Sequence, residues 1–205
     1  MENNNYHSTV EGVVQGSNLS PVLANIYMHY VLVLWFYKEV RKQMKGESYL
    51  IVYADDFVCC FQYKNEAEQF FEMLQKRLMQ YGLELETSKS RLIEFGRFAE
   101  ENCKPKKPET FEFLGFTHYC DKGRRGNFRI KRKTSSKKFR EKTKNFEMWM
   151  KRNRTMPLKE LMPKVNAKLQ GHYNYYGITD NSKKISDYCY NVKKIIFKWI
   201  NRRSQ

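Results

Sequence analysis

Acidic residues are scarce in the second part of this chain. Residues 122–205 carry 5 Asp and Glu against 25 Lys and Arg, whereas residues 1–121 carry 17 against 13, so the net charge of +16 comes entirely from the second part. A positive field of that density, with Tyr, Phe and Trp interleaved among the cations, suits a polyanion: nucleic acid first, an anionic membrane surface second. Cysteine is also sparse. The five residues Cys59, Cys60, Cys103, Cys120 and Cys189 form an odd set with no C-x-x-C pair, which argues against a disulfide framework and for reduced thiols in a cytoplasmic setting. Long apolar runs are missing as well: the longest, from about Ile26 to Tyr37, is broken by His29 and is shorter than the ~20 residues a membrane span needs. The opening MENNNYHSTVEG has neither the basic nor the apolar region of a signal peptide, so no membrane partner is expected. The four His show no ligand or triad spacing and are read as structural. No internal repeat is visible.

What is present divides into two patterns. In EGVVQGSNLSP, two glycines precede Ser20 and Pro21, an N-cap and a first-turn residue that predict a helix start. Leu23, Ile26, Tyr27, Tyr30, Val31 and Leu34 recur at helical spacing, and around YVLVLWFY the apolar character wraps all round, predicting a largely buried helix that Gly46 ends. SYLIVYADDFVCCFQY reads as two strands joined at Ala54, Asp55, Asp56 and Phe57. Asn65 and Glu68 suggest a capping box opening a helix with a stripe of Phe70, Phe71, Leu74, Leu78 and Tyr81, stopped by Gly82. Alternating LELE and the run TFEFLGF read as strands. Beyond a Gly/Arg linker expected near residues 121–130, three helical stripes follow: Phe139, Thr143, Phe146 and Met150; Val165, Leu169, Tyr173 and Tyr176, with Pro163 in the first turn; and Ile185, Cys189, Val192, Ile196 and Trp199. Tyr175 falls off the buried stripe. The expected architecture is α+β for residues 1–121 and an all-α, basic three-helix bundle for residues 122–205.

Two carboxylates on one tight turn, Asp55 and Asp56, repel each other unless a cation or strong donors neutralise them. Mg²⁺ suits such a pair, because it takes oxygen ligands, needs only one or two protein carboxylates and keeps positions for water and phosphates. Asp also favours turns for its own backbone hydrogen bonding, so the pair alone leaves metal site and ordinary turn equally open.

Five segments in order resemble the second half of a reverse transcriptase of the group II intron type: QGSNLSPVLANIY (Gln15 to Tyr27), YADD (Tyr53 to Asp56), Lys89 within TSKS, FLGF (Phe113 to Phe116) and LQGHYNYYG (Leu169 to Gly177). The resemblance runs from about Val10 to Gln205. It implies a partial palm, an antiparallel sheet with helices on one face, followed by a helical thumb or maturase region. It further implies an RNA-directed DNA polymerase in which a primer 3′-hydroxyl attacks the α-phosphate of a deoxynucleotide on an RNA template, with two Mg²⁺, or Mn²⁺, as cofactors. By that resemblance Asp55 is the direct metal ligand and Asp56 a weaker contributor. Tyr53 and Ala54 lie beside the primer end, Gln15 and Gly16 beside the nascent base pair, and Lys89 offsets phosphate charge, although the family's Lys-Thr reads Lys-Ser here. Phe113, Leu114, Gly115 and Phe116 form the primer grip, while Lys131, Arg132, Lys133, Lys137, Lys138 and Tyr175 contact RNA.

The family's active site also uses an Asp on a strand preceding the QG loop. This sequence is expected to begin after that strand, to be inactive alone, and to leave a sheet edge for a complementing fingers-palm fragment. The alternative function is a non-catalytic, intron RNA-binding maturase module that assists splicing.

Overall fold

The computed structural model describes residues 19–203 and places them in two compact units, one ending at Ile93 and the next beginning at Glu94. Each has its own core. In the first unit, helix α1 (Ser20–Met28) continues through wider, π-type turns over His29–Leu34 and Phe36–Val40 into α2 (Arg41–Gln43). The hairpin β1 (Ser48–Tyr53) and β2 (Asp56–Phe61) follows, then α3 (Lys64–Gln80). Val31, Leu32, Trp35, Phe36 and Val40 pack with Leu50 of β1 and with Phe70, Leu74 and Leu78 of α3. Burying each such side chain is worth about 1.5–3 kcal/mol, so this cluster is what holds the hairpin against the helices.

Several local expectations give way here. The N-terminal turns of the first helix are not buried: Leu23, Ile26, Tyr27 and Tyr30 are 41–63% exposed, because the core shared with α3 begins at Val31 and Tyr27 touches only its rim, donating its hydroxyl to the Tyr81 carbonyl at 2.6 Å. Leu19, not Ser20, sits at the N-cap, with Pro21 at the start of the helix and no side-chain cap. The capping box of Asn65 and Glu68 is absent: α3 starts at Lys64 behind Tyr63 with no side-chain cap, Glu68 pairs with Lys64, and the acid of the first turn is Glu66. Its buried carboxylate accepts from the backbone N–H groups of Lys45 (2.7 Å) and Gly46 (3.3 Å), tying the end of α2 to the start of α3. Gly46 is required by space, because a Cβ there would lie 2.7 Å from the Tyr63 ring. Gly82 does stop α3: with φ +65° it donates to the Met79 carbonyl while Leu83 donates to Leu78, the paired bonds of a Schellman motif. LELE forms no strand. Residues 83–95 run without regular structure, apart from a turn at residues 87–89.

The second unit holds the short helix α4 (Ala99–Asn102) and a three-stranded antiparallel sheet of β3 (Phe111–Phe113), β4 (Phe116–Lys122) and β5 (Phe128–Thr134), in that order. The Gly/Arg segment is therefore no linker. It is the turn of the β4–β5 hairpin, pairing Lys122 with Phe128 and closing by a Gly123 N–H to Asn127 carbonyl bond. Helices α5 (Ser136–Arg152), α6 (Leu158–Tyr176) and α7 (Ser182–Ile200) complete the chain as the expected bundle. Ser135 caps α5, accepting from the Lys138 N–H. Pro163 lies inside α6 rather than in its first turn, since the helix begins five residues earlier behind Pro157. Phe146, Met150, Leu161, Val165, Tyr188, Val192, Ile195 and Trp199 make the bundle core. Asn181, 1% exposed, joins sheet to bundle by accepting from the Thr134 N–H and donating to the Thr134 hydroxyl and the Tyr176 carbonyl, all at 2.8 Å.

Candidate active site

The β1–β2 hairpin closes on the pair Tyr53 and Asp56, leaving Ala54 and Asp55 as a two-residue loop. Ala54 has φ +54°, a left-handed conformation that costs a residue with a Cβ about 1–2 kcal/mol. A glycine there would avoid that cost. The turn projects both carboxylates into solvent, and Tyr53 beside them is 62% exposed. Cross-strand pairing sorts the hairpin into two faces. Ser48, Leu50 and Val52 oppose Phe61, Cys59 and Phe57 against the helices, while Tyr49, Ile51 and Tyr53 oppose Cys60, Val58 and Asp56 on the outer face. Burial pushes the Cys59 thiol well above its ordinary range, so this cysteine is an apolar core group and not a nucleophile. All five cysteines are free.

Among the described residues no group of three or more His, Cys, Asp or Glu comes together as a metal cage. Asp55 and Asp56 remain adjacent and exposed, a donor set that suits a hard divalent ion retaining water and phosphate ligands. Lys89 lies exposed in the turn after α3, its N–H donating to the Glu86 carbonyl. The Ser88 hydroxyl and N–H, both donating to the Glu86 carboxylate, hold that carboxyl below its usual range. Gln15 and Gly16 fall outside the described residues.

Within the second unit, the FLGF stretch is a two-residue hairpin turn between β3 and β4, closed by the pair Phe113 and Phe116. Leu114 (φ +50°) and Gly115 (φ +77°) are both left-handed, the geometry of a type I′ connection. Helix α6 clasps this turn from below: the Tyr175 hydroxyl donates to the Leu114 carbonyl and its ring stacks on Phe116 at 5.7 Å. Tyr176 lies so close that a Cβ on Gly115 would stand 3.1 Å from its hydroxyl. Ser135 donates its N–H to the Gly115 carbonyl.

The basic residues on β5 and α5 are partly engaged. Lys131 pairs with Asp121 at 2.8 Å, Lys138 pairs with Glu141 at 3.0 Å, and Lys133 lies 4.9 Å over the Tyr119 ring. Arg132 and Lys137 are exposed. His172, in the bundle, is sandwiched against Tyr188 (3.7 Å between ring centres) and Tyr176 (4.7 Å), and burial lowers its pKa to about 4. The sequence reading missed a second cationic group at the far end of the bundle, around Trp199. Its only trace in the sequence is the recurrence of Lys and Arg just where the first and third helical stripes end.

No membrane-crossing helix, long and apolar enough for the purpose, occurs among the described residues. No curated protein matches the chain. The family model described as group II intron, maturase-specific domain, matches residues 136–205, which cover the three-helix bundle from the start of α5. The model described as reverse transcriptase (RNA-dependent DNA polymerase) matches residues 1–118, more than half of the chain, including both the Asp55–Asp56 hairpin and the Phe113–Phe116 turn; the protein thus belongs to the reverse transcriptase family, in its group II intron maturase branch.

Proposed function

We propose that residues 1–121 serve as the palm part, and residues 122–205 as the thumb, of an enzyme that extends a DNA primer on an RNA template by nucleotidyl transfer. The observation that carries this reading is the hairpin tip: two adjacent, exposed carboxylates on a turn whose left-handed Ala54 holds them out from the strands. Asp55 and Asp56 would hold Mg²⁺, or Mn²⁺ in its place, with Asp55 the closer ligand. When bound, the divalent ions supply charge neutralisation at the reacting phosphate and its leaving group. Tyr53 and Ala54 flank the primer end, Gln15 and Gly16 the nascent base pair, and Lys89 offers a cation to the triphosphate of the incoming deoxynucleotide. The Phe113–Phe116 turn holds the primer strand, and Lys131, Arg132, Lys133, Lys137, Lys138 and Tyr175 meet the RNA. A cytoplasmic location agrees with the free thiols.

The 205 residues by themselves are proposed to be inactive, because two carboxylates suffice to bind a divalent ion weakly but not to fix two ions in line. The exposed apolar residues of the first helix and of the outer hairpin face, Leu23, Ile26, Tyr30, Tyr49 and Ile51, offer a complementing fingers-palm fragment a surface to pack on. Primer extension on an RNA template, with and without such a fragment, tests this. Synthesis only on complementation, abolished by Asp55→Ala, is the expected result; robust synthesis by the chain alone, or synthesis insensitive to Asp55→Ala, contradicts it. A second reading, a maturase module that binds intron RNA without catalysis, draws on the absence of a third metal-ligating side chain near the pair among the described residues. It predicts RNA binding and splicing assistance unchanged by Asp55→Ala.

A further inference from the structure

Helices α5 and α7 run parallel: Phe139 meets Tyr188 near their starts, and Glu147 pairs with Lys198 near their ends. Both C-termini, and the connection from α5 to α6, therefore meet at one end of the bundle. Four cations converge there on a single indole. The Lys151, Arg154, Lys198 and Arg202 charge centres lie 5.2–5.8 Å from the Trp199 ring centre. Arg152 joins Lys151 and Arg154 in lining a shallow, open depression of about 460 Å³ beside Met148 and Thr155. Arg203 is anchored to the Met156 carbonyl at 2.9 Å. Glu147 neutralises Lys198, while Lys151, Arg152, Arg154 and Arg202 form no ion pair among the described residues.

Helix C-termini favour cations, but two macrodipoles supply only about one negative charge between them, and their influence fades beyond the last turn. Arg154 and Arg202 lie past the helix ends, after Arg152 and Ile200. Attraction to an indole face is worth about 0.5–1 kcal/mol per exposed cation and is shared here among charges that repel one another. Neither effect neutralises the cluster. A row of phosphates does, releasing counterions as it binds, and guanidinium forks match phosphate oxygens in geometry.

We propose that this end of the bundle is a second RNA-backbone site, sequence-independent and separate from the β5 and α5 cations described above, with Lys151, Arg154 and Arg202 as its principal phosphate contacts. The proposal rests on the reading of the chain as a nucleic-acid-binding member of its family. The test is fluorescence polarisation of a single-stranded RNA of arbitrary sequence, titrated against the full chain over a series of salt concentrations. It compares wild type, Lys151→Gln/Arg154→Gln/Arg202→Gln, and Lys131→Gln/Arg132→Gln/Lys133→Gln.

The end-cluster variant is expected to lose at least about tenfold in affinity and to lower the slope of log K against log salt by about 2, with an unchanged thermal transition. Should the triple variant not fold, the single variants Arg154→Gln and Arg202→Gln carry the test, each lowering the slope by about 0.7. Slopes and affinities equal to wild type in folded variants overturn the proposal. So does co-sedimentation of the same proteins with phosphatidylserine vesicles in which the end-cluster variant loses vesicle binding and keeps RNA binding, which would assign the cluster to a lipid surface. Wild type binding no RNA at all overturns the functional reading itself, whereas a loss seen only in the β5 variant overturns the end-cluster site alone.

Discussion

The Tyr175 hydroxyl donates to the Leu114 carbonyl across 2.9 Å, fastening helix α6 to the turn between β3 and β4. The bond is exposed, so its net worth is at most about 0.5–1.5 kcal/mol, but it fixes a turn whose two central residues are both left-handed. Tyr175→Phe keeps the stacking on Phe116 and removes only the bond. Denaturant unfolding of this variant is expected to show a loss within that range, and Tyr175→Ala, which also removes the stacked ring, a larger one.

Gly115→Ala is expected to cost more, about 1–3 kcal/mol. A left-handed φ of +77° penalises any Cβ, and this one would meet the Tyr176 hydroxyl at 3.1 Å. A urea midpoint shifted below that of Tyr175→Phe checks it; equality of the two would mean that the turn relaxes freely. Ala54→Gly is the converse case. Its φ of +54° lies in open solvent, so glycine relieves strain, and a small gain of about 0.5–1 kcal/mol in the stability of the first unit is expected.

Asn181 makes three buried hydrogen bonds with the end of β5 and the last turn of α6. Asn181→Ala leaves the Thr134 N–H without its partner in a site that water does not reach, and a loss of about 2–4 kcal/mol follows. Thermal unfolding of the variant measures it. Asn181→Asp should rescue only the acceptor role, since the donors to Thr134 and Tyr176 are gone.

His172 sets an acid limit. Burial lowers its pKa from the ordinary 6.5 to about 4, with Lys142 acting in the same direction. A histidine that titrates lower when folded than when unfolded gives up stability as pH falls. The unfolded chain takes up a proton below about 6.5, and the folded one does so only near 4, so stability declines across that window and levels off beneath it. The ceiling on this loss is about 3 kcal/mol. His172→Phe, which keeps an aromatic ring against Tyr188, should flatten the decline; an unaltered pH profile would place its origin elsewhere.

The legible parts of the fold were those written in periodicity. Stripes such as Phe70, Leu74 and Leu78, or Phe146 and Met150, are buried where the spacing put them, and Gly82 stops its helix; the Asp-bearing turn falls within its expected residues but is tighter, on Ala54 and Asp55, and the run TFEFLGF is broken by a turn at Leu114 and Gly115. Three-dimensional competition decided the remainder. Leu23, Ile26 and Tyr30 have helical spacing, but spacing cannot say whether a partner reaches them. Arg124 and Gly126 read as a linker because a tight turn and a linker use the same residues; only the pairing of Lys122 with Phe128 separates the two. The capping box expected from Asn65 and Glu68 gives way to a contact no local pattern announces: Glu66 holds the N–H groups of Lys45 and Gly46, some twenty residues upstream. At the site, the Asp55–Asp56 turn was visible from its letters, whereas the cations around Trp199 come from two helix ends remote in sequence and needed the fold to bring them together.

The central claim is that the hairpin tip carries divalent cations for nucleotidyl transfer, and Mn²⁺ uptake measured by electron paramagnetic resonance, on the chain combined with a fingers-palm fragment of the kind proposed above, primer-template and deoxynucleotide, tests it most directly. Wild type is expected to immobilise the ion, and Asp55→Asn/Asp56→Asn, which keeps the size and turn preference of both residues, to release it. Equal immobilisation by the two proteins would contradict the account.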